Sequence, residues 1–418
     1  MESVPFKEIT PNEKGDWINQ REDAFEKLIP LKRDKKLQNP SVFDINSVGV
    51  TTGRDPWVYN FSKDALSQNV QKCIDTYNAD LKRFNEVFRE AFKQRTKGVK
   101  SGDLYKQLND NETTTDKTKI AWVQNLKTQL IKGKKLDDFS QEKISVSLYR
   151  PFNKQYFYYE RELVARSFFS MKKIFPDKDA QNVVINTTIR NFSALVSDAI
   201  PDTHFIGDAN AYPLYYYDDL GNRHCAISGY ALNLFRRHYK DNTITEEEIF
   251  YYIYAILHHK GYLEKYKNSL AKEAPRIALS EDFKELSVLG KELAKLHLNY
   301  ESEELHASVE YQTLMNAEEK GYYDVDKMTK KGGSIIYNQN ITITKIPQKA
   351  FDYVVNGKSA IDWVIEHYQK TRDKDSLIEN NPNDYAGGKY VFELLCRVIT
   401  LSEKSVDLIE KISEKRFE

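Results

Sequence analysis

The chain has 418 residues, of which 30% are charged and 40% hydrophobic, with Lys+Arg and Asp+Glu equal at 62 each. That length supports two or three cores, since single domains usually hold roughly 100 to 200 residues, and the balanced charge gives no sign of a nucleic-acid partner. The polar N-terminus lacks the apolar stretch of a secretion signal; no apolar run approaches the roughly 18 residues of a bilayer span, and a soluble, cytosolic protein is expected.

From Met1 to about Ser62 the chain reads as irregular structure with short strands, anchored by Trp17 and Trp57. Leu66, Val70, Ile74, Tyr77, Leu81, Phe84, Phe88 and Phe92 then recur at steps of three and four, which predicts one face of a long helix from about Asp64 to Arg95. Ser62 is its candidate N-cap. A polar stretch from Gly98 to Asp116 interrupts the pattern before Ile120, Val123, Leu126 and Leu130 resume it up to Gly133. Two such helices predict an antiparallel hairpin with basic outer faces.

The period changes to two from Ser140 to about Ser228. SVSLYRPFNKQYFYY (Ser145 to Tyr159) predicts a β-hairpin: Val146 and Leu148 alternate with Ser145, Ser147 and Tyr149, Pro151 to Lys154 supply the turn, and Tyr156 to Tyr159 resume the strand. Arg150 and Lys154 flank that turn. Its rings and cations suit either a core hairpin with solvated cations or an edge facing phosphates and bases. VVINTTI (Val183 to Ile189), FSALVS (Phe192 to Ser197) and YPLYYY (Tyr212 to Tyr217) come next as further strands of a mostly antiparallel region.

Thr245 to Tyr266 predicts a helix, opened by a Thr245/Glu248 capping box and carrying Phe250, Ile253, Tyr254 and Leu257 on one face. A second runs from Glu281 to His297. SIIYNQNITITKI (Ser334 to Ile346) predicts a hairpin around Asn338 to Asn340, and helices from about Ser359 to Lys370 and Gly388 to Lys415 close the chain. Helices and strands without strict βαβ alternation indicate an α+β fold.

Catalytic signatures are not found. The chain has no G-x-x-x-x-G-K-[ST] loop, no G-x-G-x-x-G turn after a strand, no G-x-S-x-G elbow and no H-E-x-x-H. Asn39-Pro40-Ser41-Val42-Phe43 departs from the Asn-Pro-Pro-Tyr element of adenine methyltransferases and reads as an extended turn. Pro176-Asp177 and Pro201-Asp202 lack the acidic-x-Lys pair of a metal-dependent nuclease. His258 and His259, adjacent on a helix, diverge by about 100 degrees, which places one near the apolar face and the other in solvent. Cys73, Cys225 and Cys396 show no metal-ligand spacing and read as reduced, intracellular thiols.

GDWINQR (Gly15 to Arg21), GRDPWVYNFSK (Gly53 to Lys63), LYRPFNKQYFYY, YPLYYYD (Tyr212 to Asp218), PRIALSEDFKEL (Pro275 to Leu286), VNGKSAIDWVIEHYQ (Val355 to Gln369) and ENNPNDY (Glu379 to Tyr385) occur in this order. Together they resemble the C-terminal target-recognition (specificity) region of type ISP restriction-modification enzymes, in which nuclease, translocating ATPase, adenine methyltransferase and DNA-reading regions succeed one another. The resemblance implies recognition of double-stranded DNA rather than chemistry in this chain. S-adenosylmethionine, ATP and magnesium would then belong to the complete enzyme, through methyltransferase, helicase-like ATPase and nuclease domains in the same or an adjacent polypeptide. For 1–62 it implies a connector to the methyltransferase; the residue patterns above divide the rest into 63–135 as helical hairpin spacer, 136–240 as β-rich DNA-recognition region, 241–300 as helical subdomain, and 301–418 as β-hairpin plus C-terminal helices. A catalytic methyltransferase or nuclease with an unrecognised motif, and a structural domain that reads no bases, remain the competing readings.

The candidate DNA-binding residues are chosen by what bases and phosphates require: Arg or Lys against guanine, Asn or Gln against adenine, cations for phosphate. Arg150, Lys154, Arg166, Arg190 and Asn191 have that chemistry beside turns of the β region, and Lys330 and Lys331 lead into the C-terminal hairpin. Arg150 and Lys154 are expected to position phosphates, and at least one of Arg190 and Asn191 to contact a base. Basic clusters at Lys93, Arg95, Lys97 and Lys100, at Lys132, Lys134 and Lys135, and at Lys327, Lys330 and Lys331 can form a basic face despite zero net charge, with acidic runs at Glu246 to Glu248 and at Glu301, Glu303 and Glu304.

Overall fold

In the computed structural model, residues 9–33, 39–165, 169–311 and 320–418 are described. Strands Ile144–Arg150 and Asn153–Tyr158 form the expected hairpin, with Ile144 opposite Tyr158 and Arg150 opposite Asn153. Its turn is tighter than Pro151 to Lys154, since only Pro151 and Phe152 lie between the strands. Phe152 takes a positive φ of 57°. Its ring packs edge-on against Tyr300 at 5.4 Å, so burial offsets the backbone cost.

Burial along the first strand does not track the apolar residues. Val146 is exposed, whereas Ser145 and Ser147 are buried. The Ser147 hydroxyl donates to the Ile200 carbonyl at 2.6 Å and lies 3.1 Å from the Tyr59 hydroxyl, which satisfies it inside the sheet. Phe157 is fully buried and stacks on Tyr59 at 4.6 Å, so the rings of the hairpin do pack inward.

Two four-stranded sheets and the small hairpin of Tyr215–Tyr217 with Arg223–Cys225 make up the β region. One places Tyr59–Asn60, Asn153–Tyr158, Ile144–Arg150 and Ile200–Pro201 side by side, the last pair parallel. The other orders Ser47–Val48, Asn210–Pro213, Val184–Thr188 and Ser193–Ser197, all antiparallel. A third lies near the C-terminus, in the order Val309–Tyr311, Ile341–Ile343, Ser334–Ile336 and Thr329–Lys331. The architecture is α+β.

The β region is the hub of three cores. Ile144, Phe157, Val184 and Ile200 join the core of the first long helix; Ile185, Ala194 and Val196 join the core of the helices between residues 229 and 298; Leu148, Phe152 and Leu195 join the C-terminal core.

Helix Lys63–Arg83 starts where predicted, the Ser62 hydroxyl accepting from the Ala65 amide at 3.2 Å. It passes through a π-helical turn, Phe84–Phe88, into Arg89–Arg95. The wider turn rotates the apolar stripe, leaving Phe88 half-buried while Phe84 and Phe92 remain buried. The second helix spans only Gln124–Lys132, later than Ile120, and stops at Gly133 with φ +75°.

Thr245 to Tyr266 is not one helix. Glu246–Ile256 carries the predicted capping box, but a new helix, Lys260–Lys265, begins at His259, whose Nδ1 accepts from the amides of Gly261 and Tyr262 at 3.0 and 3.3 Å. Phe283–Leu298 packs alongside, and Ala360–His367 and Tyr390–Ser413 close the fold. Trp17 is no anchor: it is 60% exposed, whereas Trp57 is buried. Among the described residues no helix is long and apolar enough to cross a membrane.

Candidate nucleic-acid interface

The predicted cations fall into two groups. Arg150 and Lys154 are drawn inward. The Arg150 guanidinium lies 3.9 Å above the Tyr149 ring and donates to Asp202 at 2.9 Å, with 15% of its side chain exposed. Asp202 also accepts from the His204 amide at 2.8 Å. Burial pushes the Asp202 carboxyl up to about 6; Arg150 opposes that rise and Asp55 adds to it. Asp55 accepts from the Tyr149 hydroxyl at 2.8 Å and from Thr52. Lys154 donates to Glu301, which also accepts from the Tyr390 hydroxyl, and its ammonium sits 5.2 Å from the Tyr300 ring. The basic turn is thus fastened to the protein itself.

Arg190 and Asn191 remain outside. They lie in the turn Ile189 to Phe192, which joins the paired strands Val184–Thr188 and Ser193–Ser197, and Asn191 has φ +46°. Two other turns meet it. Gly207 and Asp208 form one, at φ +80° and +40°. Asn356 and Gly357 form the other, at φ +48° and +79°, between paired Val355 and Lys358. Two consecutive positive φ values are the signature of a tight Asn-Gly hairpin turn.

The three turns interlock. The Asn356 amide donates to Ser193 Oγ at 2.7 Å, and Ser193 Oγ donates to the Asn191 carbonyl at 3.0 Å. A Cβ on Gly357 would stand 3.2 Å from Asn191 Nδ2, and one on Gly207 only 2.6 Å from Asn356 Nδ2. Arg190, with 83% of its side chain exposed, projects from this corner 4.0 Å from Asp208. His204 Nδ1 approaches the other oxygen of Asp208 at 3.6 Å.

The corner continues toward the C-terminal sheet. Ser359 caps helix Ala360–His367 by accepting from the Asp362 amide at 3.1 Å, and Asp362 pairs with Lys330 at 2.7 Å. Lys358 pairs with Glu366 and lies 5.0 Å from the Trp363 ring. Lys331 is exposed on the same hairpin as Lys330. Contacts thus run from Asn191 through the 354–359 hairpin and the start of helix Ala360–His367 to Lys330. Arg166 lies outside the described residues.

Asp208, His204, Asn356 and Lys358 were not among the candidates. The Asn-Gly and Gly-Asp dipeptides marked turns, but nothing in the sequence showed that turns 150 residues apart converge. The basic clusters are partly neutralised: Lys93 pairs with Glu90, Arg95 with buried Glu112, and Lys135 with Asp138.

A cleft of about 700 Å³ near Thr52, Asp55, Lys117 and Trp122 has mixed charge, and Lys117 pairs with Asp375 there. Among the described residues no group of His, Cys, Asp or Glu is placed to hold a metal ion. His258 and His259 are both buried, so neither points into solvent. Burial pushes His258 down to about 4, its Nδ1 bonded to the Tyr254 carbonyl, while His259 Nε2 donates to the Lys415 carbonyl at 2.8 Å.

Residues 41–394 match the family model described as the Type ISP C-terminal specificity domain. Three solved structures share the fold. A nuclease-deletion mutant of the Type ISP restriction-modification enzyme LlaGI, in complex with a DNA substrate mimic, is 34% identical over 99% of this chain, with a TM-score of 0.82. The ATP-dependent Type ISP restriction-modification enzyme LlaBIII bound to DNA is 33% identical over 98%, with a TM-score of 0.83. A DrdV–DNA complex is 26% identical over 98%, with a TM-score of 0.79. The matched regions make up 31%, 26% and 40% of those chains, so this chain corresponds to less than half of each. No curated protein matches it.

Proposed function

The chain belongs to the type ISP C-terminal specificity domain family, and from that premise we propose that it recognises a site on duplex DNA and directs adenine methylation and cleavage performed by other domains of a type ISP restriction-modification system. The observation that supports this reading most is the likeness, over nearly the whole chain, to two type ISP enzymes whose structures contain DNA or a mimic of it. The corner of three turns supplies the chemistry: an exposed arginine and asparagine on rigid backbone, with lysines alongside.

The roles divide by surroundings. Arg190 and Asn191 are assigned to the bases, and Lys330 and Lys331 to phosphates. Arg150 and Lys154 hold their own turn, because each is drawn inward against a carboxylate with only 15% of its side chain exposed. Residues 136–240 carry the reading surface, joined by the 354–359 hairpin. Residues 1–62 serve as connector, 63–135 as spacer, and 241–300 and 301–418 as supporting subdomains. S-adenosylmethionine, ATP and magnesium would be held by methyltransferase, helicase-like ATPase and nuclease domains, in the same or an adjacent polypeptide.

Selection of a random duplex library on the purified chain tests this, with binding of the selected site then measured over a range of salt. Selective binding is expected, with a slope of log affinity against log salt of about −0.9 per phosphate contact, and no methyl transfer or strand cleavage when all cofactors are supplied. Failure to bind duplex DNA, or chemistry by the chain itself, would overturn the proposal.

A further inference from the structure

Arg190 and Asp208 face each other at the exposed corner, 4.0 Å apart, with 83% and 56% of their side chains open to solvent. A pair so exposed does little for the fold. Yet the backbone beneath it is unusually constrained: Asn191, Asp208 and Asn356 all hold positive φ, and the three turns are linked through Ser193 Oγ and the close approaches at Gly207 and Gly357. Strained turns held by several independent contacts present side chains at defined positions, as a reading site requires. Asp208 is the informative member. A carboxylate on a DNA-facing surface repels phosphate, so its place beside the exposed arginine calls for a base that donates. Two base edges donate in the major groove, adenine N6 and cytosine N4; Asp and Glu accept from cytosine N4, and its partner guanine presents the O6 and N7 acceptors that Arg addresses.

Resting on the proposed DNA-recognition function, we propose that Arg190 and Asp208 together read one G·C base pair, Arg190 donating to guanine O6 and N7 and Asp208 accepting from cytosine N4. Guanine O6 and cytosine N4 are hydrogen-bonded to each other in that pair, so a donor and an acceptor side chain held next to one another can read both halves. The corner provides such a pair. Without DNA the two groups face each other; on binding, each exchanges that weak contact for a base edge. His204 Nδ1 lies 3.6 Å from the other oxygen of Asp208.

The test uses the full chain, its selected site and a library of single base-pair substitutions, with Arg190→Ala and Asp208→Gly as variants. Glycine keeps the positive φ at 208 while removing the carboxylate. Each variant should lose discrimination at the same base pair, by about 5- to 150-fold, and Asp208→Gly should bind unrelated duplexes as well as the parent does or better. Modified bases separate the two contacts: Arg190→Ala should become insensitive to 7-deazaguanine at that pair, and Asp208→Gly to a pyrimidin-2-one lacking the 4-amino group. Relaxation at two different pairs would overturn the proposal, as would an Asp208→Gly variant that still senses the missing amino group. So would a uniform loss in Arg190→Ala, with the salt slope falling by about one unit. If the parent binds no duplex selectively, the recognition reading itself fails. A selective parent with unaltered variants overturns only the G·C assignment.

Discussion

The 144–158 hairpin and the corner of three turns present the same chemistry to a reader of the sequence, basic side chains beside β-turns, yet the fold treats them oppositely. In the hairpin each cation is matched: Arg150 with Asp202 and Lys154 with Glu301, both with 15% of the side chain exposed. At the corner Arg190 stands almost free, and its nearest carboxylate is itself exposed. A basic turn is left open to a partner only where the distant sequence supplies no acid to draw it inward. The partners of Arg150 and Lys154 lie 52 and 147 residues away, beyond any local pattern.

The sharpest test of that contrast is Arg150→Ala. It strands a buried carboxyl whose pKa is already about 6 and which can therefore protonate, so urea unfolding at pH 7 should show a loss near the low end of the cost of breaking a buried pair, about 3 kcal/mol. The loss should shrink in acid. Asp202 has its folded pKa raised to about 6 from the ordinary 3.8, so the folded state binds the extra proton, and this group's contribution to stability is fully present below about 4 and is lost as pH rises through about 6. The parent should therefore gain stability from this group between pH 7 and 5, and Asp202→Asn should flatten that dependence. Equal cost for Arg150→Ala at pH 5 and 7 would show that Asp202 is not the partner that matters.

Lys154→Ala should cost less, about 2 to 3 kcal/mol, because Glu301 is only part-buried and keeps its bond from Tyr390. A variant that folds as stably as the parent but loses DNA affinity would place Lys154 at the interface and break the comparison. Gly357→Ala probes the other region. Its φ of +79° forces an L-residue into the left-handed region, at about 1 to 2 kcal/mol, and its Cβ would press on Asn191 at 3.2 Å. Thermal unfolding should register the backbone cost, and selectivity should suffer with it if the turns act as one unit.

The features legible in the sequence were local. The Ser62 cap, the Thr245/Glu248 capping box and the strands on both sides of Pro151 are set by neighbours within a few residues, and the structure has them. The hidden ones depend on partners from afar. Ser147 is buried in place of Val146 because the Ile200 carbonyl lies across from it. The helix predicted through Tyr266 breaks because His259 finds a second bond to Lys415 and caps helix Lys260–Lys265. Arg190 and Asn191 could be picked out by residue type beside a turn, but not the Gly207-Asp208 and Asn356-Gly357 turns that complete their surroundings. The family resemblance reached further than periodicity because its seven blocks sample all parts of the fold.

The smallest expected effect on stability is the most telling. Arg190→Ala removes a side chain that is 83% exposed and pairs at 4.0 Å with an exposed acid, so unfolding should shift by no more than about 0.5 kcal/mol. That near-silence is what separates the two regions, since the hairpin's arginine works on the fold and the corner's has almost no structural work to do. A side chain whose loss the fold does not register is free to act on a partner, which is the role proposed for Arg190 on its three interlocked turns. If Arg190→Ala instead destabilised the chain as much as Arg150→Ala, the corner would be a second fastening and the exposed surface would need to be sought elsewhere, first at Lys331. If stability is unchanged and discrimination among DNA sites falls, the difference between the two basic turns is the difference between building the recognition domain and using it.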